Sequence, residues 1–321
     1  MKNGKASRTA AFVTAFRAVE SDKPEGERVC YDPLAKSFLS GMYAILAKSP
    51  LLTRIALWNG ERKHPGVMGT VNYIAARTRH IDECLKACID DGIQQLVILG
   101  AGYDSRAYRF DELNGKVKVF EVDHPATQKV KIEKVKKILG SLPDNVVYVA
   151  VDFDKEKLDE RLFECGYDKD LKTLFIWEGV TYYITAEAVD ETLAFVAENS
   201  GEGSRIIFDY APKSLLDGTW DPEQAKGYDP EYLRRIGEPW TFGIEDGGVD
   251  EFLSQRGFCE VGNATSGLLK NAYFKGANQD REISRFFRIV TATVKPQEQT
   301  WELPLHIPVV REVAAVGAGI E

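Results

Sequence analysis

A glycine turn and an acidic side chain stand where two apolar runs of this sequence end. Residues 96–99 are apolar and lead into Gly100-Ala101-Gly102, and about 20 residues further on the run 117–122 ends in Asp123. Glycines in such a turn let the backbone approach a ligand closely, because no Cβ blocks it. A carboxylate at the end of the next strand can accept hydrogen bonds from ribose hydroxyls. The pattern predicts a nucleoside-binding half of a parallel sheet.

The residues after the glycine turn bear on which nucleoside is bound. Ser105 stands where a dinucleotide-binding turn has its third glycine, and Asp104 adds a negative charge. A carboxylate there is poorly matched to a pyrophosphate but compatible with a cationic sulfonium and ammonium. The turn therefore favours S-adenosylmethionine as cofactor over NAD. A NAD-dependent oxidoreductase and a non-catalytic cofactor-binding protein stay as alternatives.

Two later apolar runs also end in residues that could contact such a ligand. Asp152 and Phe153 follow the run 146–151, and Glu178 follows the run 174–177. Asp152 could accept from an adenine amino group while Phe153 covers the ring, although Asp152 could equally cap the helix expected at 155–163. Polar residues at several strand ends together indicate a ligand site, because open α/β sheets bind ligands at the carboxyl ends of their strands.

Methyl transfer from a sulfonium requires little acid–base catalysis by the protein. It is an in-line displacement, so the acceptor has to be desolvated and aligned. A carboxylate acceptor is already anionic, whereas a hydroxyl acceptor needs a general base, for which His124, Tyr182 and Tyr183 are the candidates. A structural turn role is the favoured interpretation of His124. Glu178 is better suited to holding the cofactor's ammonium than to acting as a base.

The elements that would position these residues form an α/β fold. Apolar runs predict five strands near 95–100, 117–123, 145–152, 171–178 and 204–210, with helices near 105–110, 125–139, 155–163 and 186–199 between them. Two late strands at 257–264 and 286–294 could form the antiparallel hairpin that ends a methyltransferase sheet. The predicted fold is a Rossmann-like sheet of seven strands, the last one antiparallel.

Three segments surround this predicted core of residues 91–295. Residues 1–90 have helical spacing at 10–19, 34–47 and 73–89, which suggests a helical cap over the cofactor. Residues 212–250 are rich in glycine, proline and aromatic residues and suggest a substrate insertion, and 296–321 form a C-terminal tail. Either ordinary packing or an apolar acceptor pocket would explain the aromatic set Tyr210, Trp220, Tyr228, Tyr232, Trp240 and Phe242.

Composition excludes several classes of protein. The net charge of −8 argues against a nucleic-acid partner, which would need a basic face. No apolar run approaches the about 20 residues of a membrane span, and no signal core follows the first residues, so we expect a cytoplasmic protein without a membrane partner. The five cysteines and four histidines show no zinc spacing, and we expect no metal and reduced thiols.

Several segments together resemble the leucine carboxyl methyltransferase family, which includes phosphatase leucine carboxyl methyltransferases and bacterial polyketide O-methyltransferases. They follow the family's order between residues of about 7 and 260. The matching segments are 7–10, 17–20, 32–35, 76–82, 99–109, 121–125, 177–180 and 237–240.

The resemblance implies S-adenosylmethionine-dependent methyl transfer to the carboxylate or hydroxyl oxygen of a small molecule or a peptide C-terminus. It implies that Arg77 holds the cofactor's carboxylate and that the turn at Gly100 lines its methionine moiety. By the same resemblance Asp123 takes the ribose, Asp152 and Phe153 the adenine, and Glu178 faces the amino-acid end or the reaction centre. Taken alone, Arg77 could instead be a surface helix residue paired with Asp82 or Glu83.

Overall fold

The predicted sheet is present in the computed structural model, which describes residues 8–152 and 156–296. Its seven strands run in the order β3-β2-β1-β4-β5-β7-β6, and β7 is antiparallel to both neighbours while β1 to β5 are parallel. The strands are β1 (Gln95–Leu99), β2 (Lys118–Asp123), β3 (Val146–Ala150), β4 (Thr173–Trp177), β5 (Arg205–Tyr210), β6 (Phe258–Thr265) and β7 (Arg288–Val294). The prediction of a Rossmann-like sheet with one antiparallel strand is confirmed.

Helices of the described chain pack on both faces of the sheet and at its edges. They are α1 (Arg8–Ser21), α2 (Gly41–Lys48), α3 (Pro50–Lys63), α4 (Val67–Asp90), α5 (Arg106–Arg109), α6 (Pro125–Leu139), α7 (Leu158–Glu164), α8 (Ala186–Glu198), α9 (Lys213–Leu216), α10 (Pro230–Ile236), α11 (Val249–Ser254) and α12 (Ser266–Tyr273). None of them is both long enough and apolar enough to span a membrane.

The central strands are apolar on both faces because helices cover both sides of the sheet. Every residue of β1 and β4 is buried. One apolar core, which includes Leu96 and Ile98, lies on the α4 side, and a second, which includes Val97 and Leu99, lies on the α8 side. Because both faces of these strands are buried, their register in the sheet is fixed. The polar residues that follow each strand are therefore held at defined positions.

The N-terminal helices lie against the loops at the carboxyl edge of the sheet. Arg17 of α1 donates from Nη2 to the carbonyl oxygen of Tyr103 at 2.5 Å and from Nε to Asp32 at 3.0 Å. Thr9 donates to Glu238, which joins α1 to the segment 212–250. The domain boundaries stay a prediction, but α1 does contact the glycine turn.

The helical pattern over 34–47 is not one helix, which corrects the sequence-based expectation. A 3₁₀ turn covers Ala35–Phe38, and Leu39 and Ser40 are extended before α2 begins. Leu39 is buried with Ala15 and Ala18 of α1, and this tertiary contact outweighs local helix propensity. The sequence interpretation also missed α3, α9, α10, α11 and α12.

Candidate active site

The glycine turn after β1 is packed from two sides. Gly100 has φ of +67°, and a Cβ built there would lie 2.5 Å from Cγ2 of Val180. Gly102 has φ of +44°, and a Cβ there would lie 3.3 Å from the Cβ of Ala10 in α1. Ala101, between them, is buried and donates its amide to Val122 at 2.9 Å. The turn therefore needs glycine for its backbone conformation and for its contact with α1.

Asp123 ends β2 beside this turn, as the sequence predicts. Its Oδ2 accepts from the amide of Gly102 at 2.6 Å, and its Oδ1 accepts from the amide of His124 at 2.6 Å. Burial raises the pKa of the Asp123 carboxyl, although these two hydrogen bonds oppose the rise. Each carboxylate oxygen keeps a second lone pair, so Asp123 can position the turn and still accept from a hydroxyl group.

His124 lies at the N-terminus of α6 and serves the backbone there. Its Nδ1 accepts a hydrogen bond from the amide of Ala126 at 3.2 Å, and Pro125 is the first residue of the helix. A neutral His124 that accepts through Nδ1 carries its proton on Nε2. This arrangement leaves no free basic nitrogen and favours a structural role over that of a general base.

The residues after β3 are only partly described. The amide of Asp152 donates to Glu156 at 2.9 Å. Helix α7 begins at Leu158 with Lys157 at its N-cap, so Asp152 is not the residue that caps it. Phe153 lies outside the described residues, and the assignment of Asp152 and Phe153 to the adenine stays a prediction.

Arg77 of α4 points into the molecule instead of lying on the surface. It is 4% exposed; Nε donates to Glu178 at 2.9 Å and Nη1 donates to Asp209 at 2.5 Å. The alternative pairing with Asp82 or Glu83 is wrong, because Arg106 and Arg109 hold Asp82 while Arg79 holds Glu83. Nη2 of Arg77 has no acceptor within 8–152 and 156–296, so this nitrogen can donate a hydrogen bond to a bound anion.

Glu178, after β4, is shared by two arginines. Oε1 accepts from Arg77, and Oε2 accepts from Nη1 of Arg106 at 2.7 Å. Burial by itself would raise the pKa of Glu178, but the two guanidinium groups outweigh it and lower the pKa to about 2. Glu178 is therefore a carboxylate at neutral pH, which suits contact with a cation and not proton transfer.

Asp209 on β5 was missed by the sequence interpretation. It is fully buried and accepts from Arg77 and, through Oδ1, from the amide of Gly179 at 2.6 Å. An acid near the end of the apolar run 204–210 was the available signal, since the same pattern had singled out Asp123 and Glu178.

Ion pairs join these groups into one network at the carboxyl edge of the sheet. Arg106 donates to Asp82 at 2.8 Å and to Asp104 at 2.5 Å in addition to Glu178, and Arg109 donates to Asp82 at 2.6 Å. Arg106 and Arg109 are thus salt-bridge residues. We call the following residues the ionic cluster: Arg77, Asp82, Asp104, Arg106, Arg109, Glu178 and Asp209. Its three arginines face four carboxylates, an excess of one negative charge.

The two tyrosines that follow Glu178 are poorly suited to act as bases. The hydroxyl of Tyr182 lies 3.3 Å from Nη1 of Arg77 and 3.4 Å from Oδ2 of Asp209. Burial, together with the charge of Asp209, raises the pKa of Tyr182 well above its usual range. Burial also raises the pKa of Tyr183. Both phenols are neutral at physiological pH.

The aromatic residues expected around the insertion do not form one pocket. Tyr228 and Trp240 pack with Tyr182, Phe286 and Phe287, with ring centroids of Tyr182 and Trp240 4.5 Å apart. The remaining members take different places: Tyr210 and Phe242 lie in the apolar core on the α8 side, Trp220 packs against the core on the α4 side, and Tyr232 is exposed. Only part of the predicted set is near Arg77.

Comparison with known proteins identifies the family of this chain. The leucine carboxyl methyltransferase family matches residues 10–197. The "Putative S-adenosyl-L-methionine-dependent methyltransferase YktD" of Bacillus subtilis (strain 168) is 30% identical over 228 residues, 67% of this chain and 74% of that protein. A "Putative S-adenosyl-L-methionine-dependent methyltransferase" of Mycolicibacterium paratuberculosis (strain ATCC BAA-968 / K-10) is 33% identical over 294 residues, 85% of this chain and 89% of that protein.

Solved structures give a weaker likeness. The magnesium protoporphyrin IX methyltransferase of Synechocystis PCC 6803 with bound SAH is 14% identical at a TM-score of 0.42, covering 69% of this chain and 84% of that chain. Similarity at this level adds nothing to the assignment, which depends on the sequence match over more than half of the chain. This chain belongs to the leucine carboxyl methyltransferase family.

Proposed function

We propose that this S-adenosylmethionine-dependent methyltransferase transfers its methyl group to an oxygen atom, that of a carboxylate or a hydroxyl on a small molecule or a peptide C-terminus. The observation that carries the proposal is the meeting of the glycine turn, Asp123 and the Arg77–Glu178 pair at one edge of the sheet in a chain of this family. Ligands of open α/β sheets bind at this edge.

The described residues fit the charges of S-adenosylmethionine. The cofactor carries a sulfonium, an ammonium and a carboxylate, so its net charge is positive and complements the excess carboxylate of the ionic cluster. Nη2 of Arg77 would hold the carboxylate, and Glu178 would face the ammonium. The free lone pairs of Asp123 would accept from the ribose hydroxyls. These assignments agree with those that the family resemblance implies.

The cofactor, when bound, supplies an activated methyl group, and the protein's contribution is placement and exclusion of water. Helix α1 covers the glycine turn through Ala10 and Arg17, which keeps water from that side of the site. His124, Tyr182 and Tyr183 are each poorly placed or poorly suited to remove a proton. This supports a carboxylate acceptor over a hydroxyl acceptor, because a carboxylate needs no base.

Calorimetry and product analysis test the proposal. We expect the folded protein to release or absorb heat on titration with S-adenosylmethionine and with S-adenosylhomocysteine. With cofactor labelled in the methyl group, a panel of carboxylic acids and phenols should give an oxygen-methylated product. Alkali releases methanol from a methyl ester but leaves a methyl ether intact, so it distinguishes the two acceptors. Absence of heat for both compounds, or label found only on nitrogen or carbon, would overturn the proposal.

Replacing Asp123 by alanine should weaken binding of S-adenosylhomocysteine by roughly 1.5–3 kcal/mol, the usual cost of losing hydrogen bonds to a charged group. Calorimetry on wild type and variant measures this loss. Asp123 also holds Gly102, so the same titration is made with the 2′,3′-dideoxy analogue, which lacks the ribose hydroxyls. An equal loss for both ligands would mean that Asp123 acts only through the turn.

A further inference from the structure

A cavity of about 320 Å³ opens between α12 and the start of β7. It is at the lower end of the about 300–1,000 Å³ typical of ligand sites. Its charged lining residues are Lys270, Glu282, Arg285 and Arg288. Three cations and one carboxylate make the cavity positive, on a chain whose net charge is −8.

The cations of this cavity are incompletely neutralised. Glu282 is paired with Lys270, with Oε1 and Nζ 3.4 Å apart. Over the described ranges 8–152 and 156–296, neither Arg285 nor Arg288 has an ion pair. Burial lowers the pKa of Arg288, and the charge of Asp246 opposes this only partly because it forms no ion pair with the guanidinium. A partly buried, unpaired arginine is costly unless an anion binds it.

Arg288 is held in place before any ligand arrives. Its Nη1 donates to the carbonyl oxygens of Arg285 at 2.6 Å and Phe287 at 2.9 Å, and its guanidinium carbon lies 5.6 Å from the ring centroid of Trp220. Nε and Nη2 have no acceptor among the described residues. A fixed guanidinium with free donors is suited to an oxyanion, which accepts from a planar fork.

The cavity lies at the same edge of the sheet as the ionic cluster. In the sheet, Arg288 of β7 lies opposite Tyr210 of β5. The residue before Tyr210 is Asp209, which accepts a hydrogen bond from Arg77. Between the two sites, Phe287 stacks on Tyr73 of α4 with ring centroids 4.1 Å apart. Both rings are buried, so this stack forms the floor between two neighbouring sites at one edge of the sheet.

We propose that this cavity binds an oxyanion, a carboxylate or phosphate group of the methyl acceptor, through Arg285 and Arg288. The assignment to the acceptor rests on the proposed function, whereas the anion site itself does not. The acceptor is then a molecule with one oxygen at the reaction centre and a separate anionic group at Arg288.

Titration with inorganic phosphate and with glutarate, followed by tryptophan fluorescence, tests the site. Trp220 is the nearby reporter, and Trp220→Phe identifies its signal among the five tryptophans. We expect Arg288→Gln and Arg285→Gln each to weaken anion binding at least about tenfold, or about 1.4 kcal/mol. Arg54→Gln, the same charge change on exposed α3, should leave it unchanged.

Filling the cavity gives a variant that removes no charge. Gly267 lines it without a positive φ, and a Cβ there would meet only Oγ1 of Thr265 at 3.7 Å. Gly267→Leu should therefore fold and still lose anion binding about tenfold. Equal anion affinity in wild type, Arg288→Gln and Gly267→Leu would overturn the site.

Two more measurements separate this inference from the proposed function. Arg288→Gln should bind S-adenosylhomocysteine as wild type does, because Arg288 lies outside the ionic cluster. It should raise the KM for acceptors that carry a second anionic group and leave the KM for acceptors without that second group unchanged. Anion binding without this difference in KM would overturn the link to the acceptor. If the wild type binds anions but not the cofactor, the proposed function is contradicted and the anion site is not.

Discussion

Replacing Glu178 by glutamine is expected to lower the free energy of unfolding by about 3–5 kcal/mol, the usual cost of breaking a buried ion pair. The glutamine side chain would have the shape of the native one but no charge, and Arg77 and Arg106 would lose the carboxylate they share. The lowering of the Glu178 pKa from 4.5 to about 2 corresponds to a stabilisation of similar magnitude, roughly 3 kcal/mol. Urea unfolding of the two proteins at neutral pH measures the difference.

The effect should depend on pH in a defined direction. Because folding lowers the pKa of Glu178, its contribution is fully present above about pH 4.5 and is lost as the pH falls toward about 2. The stability difference between wild type and Glu178→Gln should therefore shrink through this window. A difference that stays constant across it would show that the charge of Glu178 is not the cause.

Glu83→Gln is the matched control, because Glu83 also pairs with an arginine of α4. The Arg79–Glu83 pair is 2.9 Å long but nearly half exposed, and surface pairs contribute about 0–1 kcal/mol. The same chemical change should thus have a small effect on the surface. Equal destabilisation by the two variants would contradict the importance that we give to burial.

The strands and their ends could be predicted because their signal is local. An apolar run followed by glycine or an acid describes β1, β2 and β4 without reference to the rest of the chain. Parallel pairing of these strands then follows, because the helices between them cover both faces of the sheet. The extended residues Leu39 and Ser40 could not be predicted, because their conformation depends on the contact of Leu39 with α1.

The partners of the site residues could not be read from the sequence. Glu178 is shared by Arg77, 101 residues before it, and Arg106, 72 residues before it. The acids that follow Arg77 on α4 are Asp82 and Glu83, five and six residues later, and the structure pairs Arg77 with neither. Which of several acids meets which arginine is decided by the packing of α4 against the ends of β4 and β5.

The sharpest test of the site is the replacement of Arg77 by lysine. Arg77 extends three nitrogens in three directions: Nε to Glu178, Nη1 to Asp209, and Nη2 to the proposed cofactor carboxylate. The bidentate contact expected from a free guanidinium is not open, since two nitrogens are already engaged. Lysine keeps the charge but cannot reach all three positions with one ammonium.

Arg77→Lys should weaken S-adenosylmethionine by about 1.5–3 kcal/mol, or roughly 10- to 150-fold, and decarboxylated S-adenosylmethionine by less than about threefold. The reason is that only the first cofactor has the carboxylate that Nη2 would bind. Calorimetry with both cofactors measures the difference, and thermal unfolding shows how much of the protein is folded. Arg79→Lys, the same change two residues further along α4 at an exposed ion pair, should alter neither affinity. If Arg77→Lys weakens both cofactors equally, Arg77 acts through the stability of the ionic cluster and does not bind the carboxylate.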